Sequence, residues 1–361
     1  MPRRQRHQWD PICDPPQNLV RPVPIDPDRI SGPTRGQAKR GKWRRTTHGL
    51  YVPVDVDRSV PEQRILEKSM LLRPSGAVTG WASLRLMCAN FVDGLLADRV
   101  TERPVALTVP RDRTRRQREG VVFSQDRLDE SEVQTRYGIR CTRVHRGLFD
   151  EMRKSPDLRE AVVAMDMAAA AQLISVARMK KYVDRRASWD GVPLVRAALD
   201  LADEDSRSPN ETRMRMIWQL DAGFARPMVN QEVWDLNGRL LGIADILDPV
   251  AGVVGEFDGA DHRGALRHSK DVDREARFRN HDLEFFRVTG LDLPERAKVV
   301  GRMESSMGRA RFLPPGRRSW TVTPPPGWEI DPPLDYILEL RDQHEQWERD
   351  GAPDLRDLIG R

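Results

Sequence analysis

Three carboxylates in the last third of the chain have the types and spacing to bind a divalent metal ion. Asp245 lies in one strand-like stretch, and Glu256 and Asp258 lie in the next. Side chains two apart on a strand share a face, so Glu256 and Asp258 are expected to point the same way. If the turn over 248–252 closes a simple hairpin, Asp245 lies opposite Gly255 or Glu256, with Cβ atoms ~4.5–5.5 Å apart.

A bound cation would explain why these three acids lie among apolar neighbours. Like charges in such strands repel one another and lose hydration, which is costly without a partner. Mg²⁺ or Mn²⁺ would remove the conflict, because carboxylate oxygens are its preferred ligands. Such a metal can ready a water for attack on a phosphate and stabilise the charge that builds there. The alternative is that these acids face solvent at strand ends or pair with arginines, namely Arg239, Arg263 or Arg274.

Three further residues near this stretch have a chemical and a structural interpretation each. Glu211 could support the metal site, but its spacing from Ser208 is that of a capping-box glutamate. His262 could exchange a proton at the rim of the site, or it could simply be an exposed loop residue. Arg274 could bind a phosphate bidentately, or it could pair with a neighbouring acid.

The elements that must position these residues follow from the local pattern. Ser208, Pro209 and Glu211 open a helix that runs to about Asp221. Asn237-Gly238 predicts a two-residue hairpin turn between the first two strands that follow. The predicted order is α-β-β-β-α-β, with strands at 229–236, 239–247, 253–258 and 284–289 and a polar helix at 271–280.

The sequence before residue 208 predicts a mixed α/β region. Residues 43–53 are basic and β-prone and could be the wing of a winged-helix module, although the recognition helix that should precede it is not convincing. Helical spacing occurs at 64–72, 80–96, 158–176 and 189–201, and short strands are expected at 105–109, 120–123 and 139–142. We expect a hairpin loop between the first two of these strands. After the predicted αβββαβ elements, residues 313–333 are Pro-rich and are expected to wrap over the core. A terminal helix is expected at 334–349.

The basic charge of the chain is concentrated in two segments. The chain carries +5 overall, but residues 1–50 have eleven Arg or Lys against four Asp. The run from Arg111 to Arg118 has five Arg against one Asp. Basic segments on a balanced protein indicate a polyanion partner, most simply DNA; solvated surface is the alternative. The expected nucleic-acid contacts are Arg44, Arg45, Arg113, Arg115, Arg116 and Arg274.

Composition excludes several other classes of protein. No apolar run approaches the ~20 residues that a membrane helix requires, and the start does not resemble a signal peptide. Three widely spaced cysteines, Cys13, Cys88 and Cys141, suggest neither a disulfide framework nor a zinc knuckle. We therefore expect a cytoplasmic protein without a membrane partner or a small-molecule cofactor; protein partners and oligomeric state stay open.

The αβββαβ order, with Asp245, an eleven-residue step and Glu256-Phe-Asp258, resembles the core of the PD-(D/E)XK nuclease superfamily. Several motifs resemble more closely a family of bacterial proteins related to very-short-patch-repair endonucleases. These motifs are Ser208-Pro-Asn-Glu, Gly242-Ile-Ala-Asp245, Glu256-Phe-Asp-Gly259 with His262, Asp273-Arg274 and Arg287-Val-Thr289. Upstream, three segments resemble the antitoxins of type IV toxin–antitoxin systems: residues 43–53, Gly80-Trp-Ala-Ser-Leu84 and Arg146-Gly-Leu-Phe-Asp150. The resemblance implies a metal-dependent phosphodiesterase fold with Asp245 and Glu256 as ligands.

One departure from the superfamily bears on activity. The usual lysine two residues after the glutamate is Asp258 here, and the nearest lysine in sequence is Lys270. An aspartate cannot stabilise an attacking hydroxide as a lysine does; it can add a metal ligand or accept a proton. The expectation is thus an α/β protein with a restriction-endonuclease-like core that acts as a Mg²⁺-dependent DNA endonuclease or nickase. The alternative is a DNA-binding regulator or antitoxin-like protein with a degenerate nuclease fold.

These observations divide the chain into five segments. They are a basic Pro- and Arg-rich arm (1–35), an antitoxin-like, DNA-binding α/β region (36–150), a helical connector (151–206), a nuclease-like domain (207–312), and a Pro-rich wrap with a terminal helix (313–361).

Overall fold

The computed structural model describes residues 10–28, 30–96, 98, 100–109, 118–259 and 274–349. The chain divides into two compact units, the first comprising Met1–Ile174 and Arg178–Leu199 and the second Ser175–Ala177 and Asp200–Arg361. The described residues form a mixed α/β protein with three sheets.

The first part of the chain builds two sheets and seven α-helices in its described residues. A three-stranded sheet has the order β1-β3-β2, and a five-stranded sheet has the order β6-β5-β4-β8-β7. The strands are β1 (Val23–Pro24), β2 (Trp43–Thr47), β3 (Leu50–Pro53), β4 (Ala77–Thr79), β5 (Val105–Thr108), β6 (Val121–Ser124), β7 (Val133–Arg136) and β8 (Ile139–Thr142). The helices are α1 (Arg35–Lys39), α2 (Pro61–Ser69), α3 (Trp81–Arg85), α4 (Val144–Arg153), α5 (Leu158–Ala170), α6 (Val176–Asp184) and α7 (Val192–Leu201).

Two expectations about this part are wrong. The strands β5 and β6 pair in parallel, so they do not form the expected hairpin. The helix expected over 80–96 ends at Arg85, because Cys88 takes a left-handed φ of 65° that a helix cannot accommodate. Beyond Arg85, Leu86 and Ala89 are buried, whereas Met87, Phe91 and Leu95 are partly exposed.

The amino-terminal segment is held against the first unit over its described residues. Val23–Pro24 pairs with β3, and Gln63 exchanges two hydrogen bonds of 2.9 Å with the backbone of Val20. Residues 10–28 of the predicted basic arm are therefore packed against the first unit. The strands β2 and β3 form a hairpin around Gly49, and the helix before it, α1, has five residues. In the described residues this segment is a three-stranded sheet without a recognition helix.

The second unit contains one mixed sheet between helices. Its strands are β9 (Met228–Asp235), β10 (Leu240–Asp248), β11 (Val253–Asp258), β12 (Glu284–Thr289) and β13 (Trp320–Thr321). Its helices are α8 (Pro209–Met216, continued by a π-helical turn Ile217–Asp221), α9 (described over 274–279), α10 (Arg296–Arg309) and α11 (Leu334–Arg349). The strand order is β12-β11-β10-β9-β13, with β11 and β12 parallel and the other neighbours antiparallel. The positions of β9 to β12, α8 and α11 confirm the predicted elements.

Both faces of this sheet are buried because alternate residues on each strand point to opposite sides. One face packs against α8 and α10 through residues that include Met214, Ile246, Val253, Phe286 and Met303. The other packs against α9 and the Pro-rich segment through residues that include Leu247, Val254, Phe278, Phe285 and Trp320. The predicted wrap of this Pro-rich segment is confirmed by β13, which pairs with β9, and by Trp328, whose ring lies 4.6 Å from that of Trp234.

The two hairpin turns of the sheet differ from each other. The β10–β11 turn closes as expected: Gly252 N–H donates to the Asp248 carbonyl, and the Asp248 side chain accepts from two more turn amides. The β9–β10 turn is larger than the predicted two residues. Asp235 N–H bonds the Arg239 carbonyl, and the Asp235 carboxylate accepts from the amides of Asn237 and Arg239. The aspartate thereby stabilises a longer turn, with Gly238 at φ 81°.

A buried aspartate fixes α10 against the end of β12. Asp292 accepts hydrogen bonds from the amide and hydroxyl of Thr289 and from two nitrogens of Arg302, and Lys298 lies 2.9 Å away. The Arg302 guanidinium, with help from Lys298 and Thr289, holds the pKa of Asp292 well below its usual range. The charged form of this carboxylate therefore stabilises the fold.

No helix in the described part of the chain has the length and apolar character needed to cross a membrane.

Candidate functional site

The structure brings Asp245 and Glu256 together at one end of the β10–β11 ladder. The register pairs Ile246 with Gly255, so the next position along each strand is Asp245 on β10 and Glu256 on β11. Both are buried, with 7% and 3% of their surface exposed. This is one of the two registers that the sequence left open.

The strands separate where the two acids meet. Ile246–Gly255 is the last pair of the ladder, and the amide of Phe257 then donates to the Asp245 Oδ2 at 2.6 Å. A carboxylate thus replaces the backbone acceptor that a continued ladder would supply. Buried amides need a partner, so Asp245 also has a structural role in ending the ladder.

Gly255 permits the close packing beside this point. A Cβ atom built on Gly255 would lie 2.3 Å from Phe286 Cζ and 2.8 Å from Ile246 Cγ1. These distances are too short for any side chain. The glycine therefore lets the Phe286 ring pack directly against β11 beside Ile246.

Arg274, in the first described turn of α9, forms an ion pair with Glu256. One guanidinium nitrogen donates to the Glu256 Oε2 at 2.5 Å. The helix lies close to β10 because Gly242 has no side chain: a Cβ there would lie 2.7 Å from Phe278 and 3.2 Å from the Arg274 stem. The pairing of Arg274 with an acid agrees with one of its two sequence interpretations.

Glu211 connects α8 to the neighbouring strand β9. Its side chain is 2% exposed and accepts from the Asn230 side chain at 2.9 Å and from the Arg207 amide at 3.0 Å. Ser208 accepts from the Glu211 amide, as expected for the helix N-cap. The glutamate oxygen, however, bonds the residue before the cap, so only half of the predicted capping box forms.

Asn230 is a site residue that the sequence analysis missed. The pairs Ala244–Gln231 and Ile246–Val229 on either side of it place Asn230 across from Asp245. It is buried and has a left-handed φ of 46°, a conformation that asparagine tolerates better than most residues. Nothing in the sequence marks this position, because its role depends on the contact with Glu211.

Asp258 lies at the end of β11, where it pairs with Thr289 of β12 and is partly exposed. Within the described residues, no group of three or more His, Cys, Asp or Glu side chains is arranged to hold a metal ion. The structure therefore groups two of the three predicted carboxylates, Asp245 and Glu256.

The predicted basic contacts differ in how they are held. Arg44 on β2 is largely buried and forms two hydrogen bonds with Glu67, of 2.9 and 2.7 Å. Arg45 is exposed and lies 2.9 Å from a ring nitrogen of His48. Of the remaining predicted site residues and motif positions, those outside the described residues are Arg113, Arg115, Arg116, His262 and Asp273.

Comparisons with protein-family models, with curated proteins and with solved structures found no match to this chain. The functional interpretation therefore depends on the residues and geometry of this chain.

Proposed function

We propose that this protein is a Mg²⁺-dependent DNA endonuclease or nickase whose site contains Asp245 and Glu256. The observation that carries the proposal is the meeting of these two buried acids where β10 and β11 separate. The element order α8-β9-β10-β11-α9-β12, with β11 and β12 parallel, supports a restriction-endonuclease-like core. The ion pair between Arg274 and Glu256 would by itself need one carboxylate, whereas this site has a second, Asp245, opposite Glu256 on the neighbouring strand.

The donor set fits a magnesium or manganese ion. Both carboxylates offer hard oxygen ligands, and Mg²⁺ is commonly held by one or two carboxylates together with waters and substrate phosphates. Two buried acids side by side repel each other, and a divalent cation would offset that repulsion beyond the single charge of Arg274. When bound, the metal would lower the pKa of a coordinated water and offset charge on the phosphate.

The other residues of the site have roles that their contacts suggest. Arg274 supplies a positive charge beside Glu256, at a place where a phosphate oxygen could also accept from it. Glu211 and Asn230 hold β9 next to Asp245 and act as positioning residues. Asp258 stands where the nuclease superfamily that this segment resembles has a lysine, and as a partly exposed carboxylate it can accept a proton but cannot stabilise an anion.

DNA affinity is proposed to come from basic residues of the first part of the chain. Arg45 is exposed on β2, and the basic run from 111 to 118 adds five arginines. Phosphate contacts of this kind weaken as salt is added, because binding releases counterions. Arg44 is a poorer candidate, since its guanidinium is committed to Glu67.

The test is cleavage of supercoiled, linear and single-stranded DNA with Mg²⁺ or Mn²⁺. Wild type is compared with Asp245→Asn, Glu256→Gln and the matched control Glu304→Gln, which changes an exposed acid on α10. Metal-dependent nicking by wild type and the control, lost in the two site variants, is the expected result. Intact DNA under all conditions would overturn the nuclease assignment.

A second candidate is a DNA-binding regulator or antitoxin-like protein with a degenerate nuclease fold. The observations that favour it are Asp258 in place of a lysine and the ion pair that already neutralises Glu256. This candidate predicts salt-sensitive DNA binding that is unchanged in Asp245→Asn. Gel-shift measurements on the same variants, with and without metal, therefore separate the two functions.

A further inference from the structure

The fold of the first unit brings two cysteines together that lie far apart in the sequence. The Cys13 amide donates to the Cys88 carbonyl at 3.0 Å, and Ile12 forms an antiparallel bridge with Ala89. This register places Cys13 opposite Cys88. Opposed residues joined by such a hydrogen bond have Cα atoms ~5.5 Å apart, which lies within the range of disulfide-bonded cysteines.

The side chains of the two cysteines are partly accessible. Both are of intermediate exposure, whereas Cys141 is buried. The Cys88 thiol is one of the groups that raise the pKa of the Cys13 thiol, and the Cys88 Sγ lies 3.7 Å from the Tyr137 hydroxyl. Cys88 has a left-handed backbone conformation in the loop that follows α3. Its thiol therefore lies on a turn and not on a helix.

We propose that Cys13 and Cys88 form a reversible disulfide by exchange with a low-molecular-weight disulfide of the glutathione type. The Cys88 thiolate attacks one sulfur of the small disulfide, forming a mixed disulfide and releasing one small thiolate. The Cys13 thiolate then attacks the Cys88 sulfur, forming the protein disulfide and releasing the second small thiolate. The protein loses two protons and two electrons, and the small disulfide is reduced to two thiols.

The bond would fasten the start of the described chain to the loop after α3. At present this attachment consists of backbone hydrogen bonds and the Asn90 side chain, which donates to the Asp10 carbonyl at 2.6 Å. A covalent link that closes so long a loop restricts the unfolded chain and stabilises the folded state. The oxidised first unit should therefore melt at a higher temperature than the reduced one.

Burial raises the pKa of the Cys13 thiol to about 11, with the nearby Cys88 and Glu62 adding to the effect and Arg85 opposing it. Cys13 is thus mostly protonated at neutral pH, and the closing step should become faster as the pH rises. The inference concerns the first unit and does not depend on the proposed nuclease function.

The experiment treats the fully reduced full-length protein with oxidised glutathione, alkylates the remaining thiols and digests it without reductant. The expected result is one cross-linked peptide joining Cys13 to Cys88, with Cys141 alkylated, and three alkylated thiols after dithiothreitol. The Cys141→Ser control should give the same cross-link, and Cys13→Ser should give a stable glutathione adduct on Cys88. Three unreacted thiols, stable adducts on the wild type, or cross-links between chains would overturn the proposal.

Discussion

Asp245 is expected to have two separable roles, as an acceptor for the Phe257 amide and as a metal ligand. Asp245→Asn keeps an acceptor oxygen but removes the charge, whereas Asp245→Ala removes both and leaves the Phe257 amide without this acceptor. An unsatisfied buried donor destabilises a protein by about 1–3 kcal/mol. At roughly 2–4 °C per kcal/mol for a unit of this size, Asp245→Ala should melt about 2–12 °C lower, and Asp245→Asn should stay near wild type.

The metal role appears in the response of the same proteins to Mg²⁺. A ligand that binds the folded state at 100 times its Kd stabilises it by about 2.7 kcal/mol, a rise of roughly 5–11 °C for wild type. Neither Asp245 variant should show this rise. The assay is calorimetric melting with and without Mg²⁺. An Mg²⁺ response of Asp245→Asn equal to that of wild type would refute the ligand role, and equal destabilisation of both variants without metal would refute the hydrogen-bond role.

Three further predictions concern the surroundings of the site. Gly255→Ala should destabilise the protein by at least about 1–3 kcal/mol, because its Cβ would overlap the Phe286 ring; a denaturant titration measures this. Arg274→Gln removes the positive charge that is paired with Glu256 and should enlarge the Mg²⁺-induced rise in melting temperature. An unchanged rise would argue against competition between Arg274 and Mg²⁺ for the Glu256 carboxylate. Asp292→Asn should lower the free energy of unfolding by about 1.5–3 kcal/mol at pH 7. Since the pKa of Asp292 is lowered on folding, wild type has this advantage in full above pH ~4 and loses it progressively as the pH falls towards the lowered pKa; the difference in melting temperature between the two proteins should be smaller at pH 3 than at pH 7.

The strands of the second unit were predictable because their local signals agree with the tertiary structure. The apolar runs of β11 and β12 have the predicted bounds, and the short turn between β10 and β11 limits the register to two choices. Asp245 could therefore be placed opposite Gly255 or Glu256 from sequence alone. Which register forms depends on turn hydrogen bonds by Asp248 that spacing alone does not determine.

Other features depend on contacts between distant residues, which a single sequence does not reveal. Asn230 belongs to the site through Glu211 on another element. The parallel pairing of β5 and β6 is a choice of topology, and short apolar runs are the same in either direction. The proximity of Cys13 and Cys88 arises from the path of the amino-terminal segment across the first unit.

The most direct test of the central claim is the rate of Mn²⁺-dependent nicking in a single turnover, measured for wild type, Glu256→Gln and Glu304→Gln. Losing a partner of a metal ligand reduces affinity or activity by about 10–100-fold, so losing the ligand itself should reduce the rate by more than about 100-fold. The account predicts that loss for Glu256→Gln and an unchanged rate for Glu304→Gln. Equal rates for all three proteins, or no metal-dependent nicking by wild type, would contradict it.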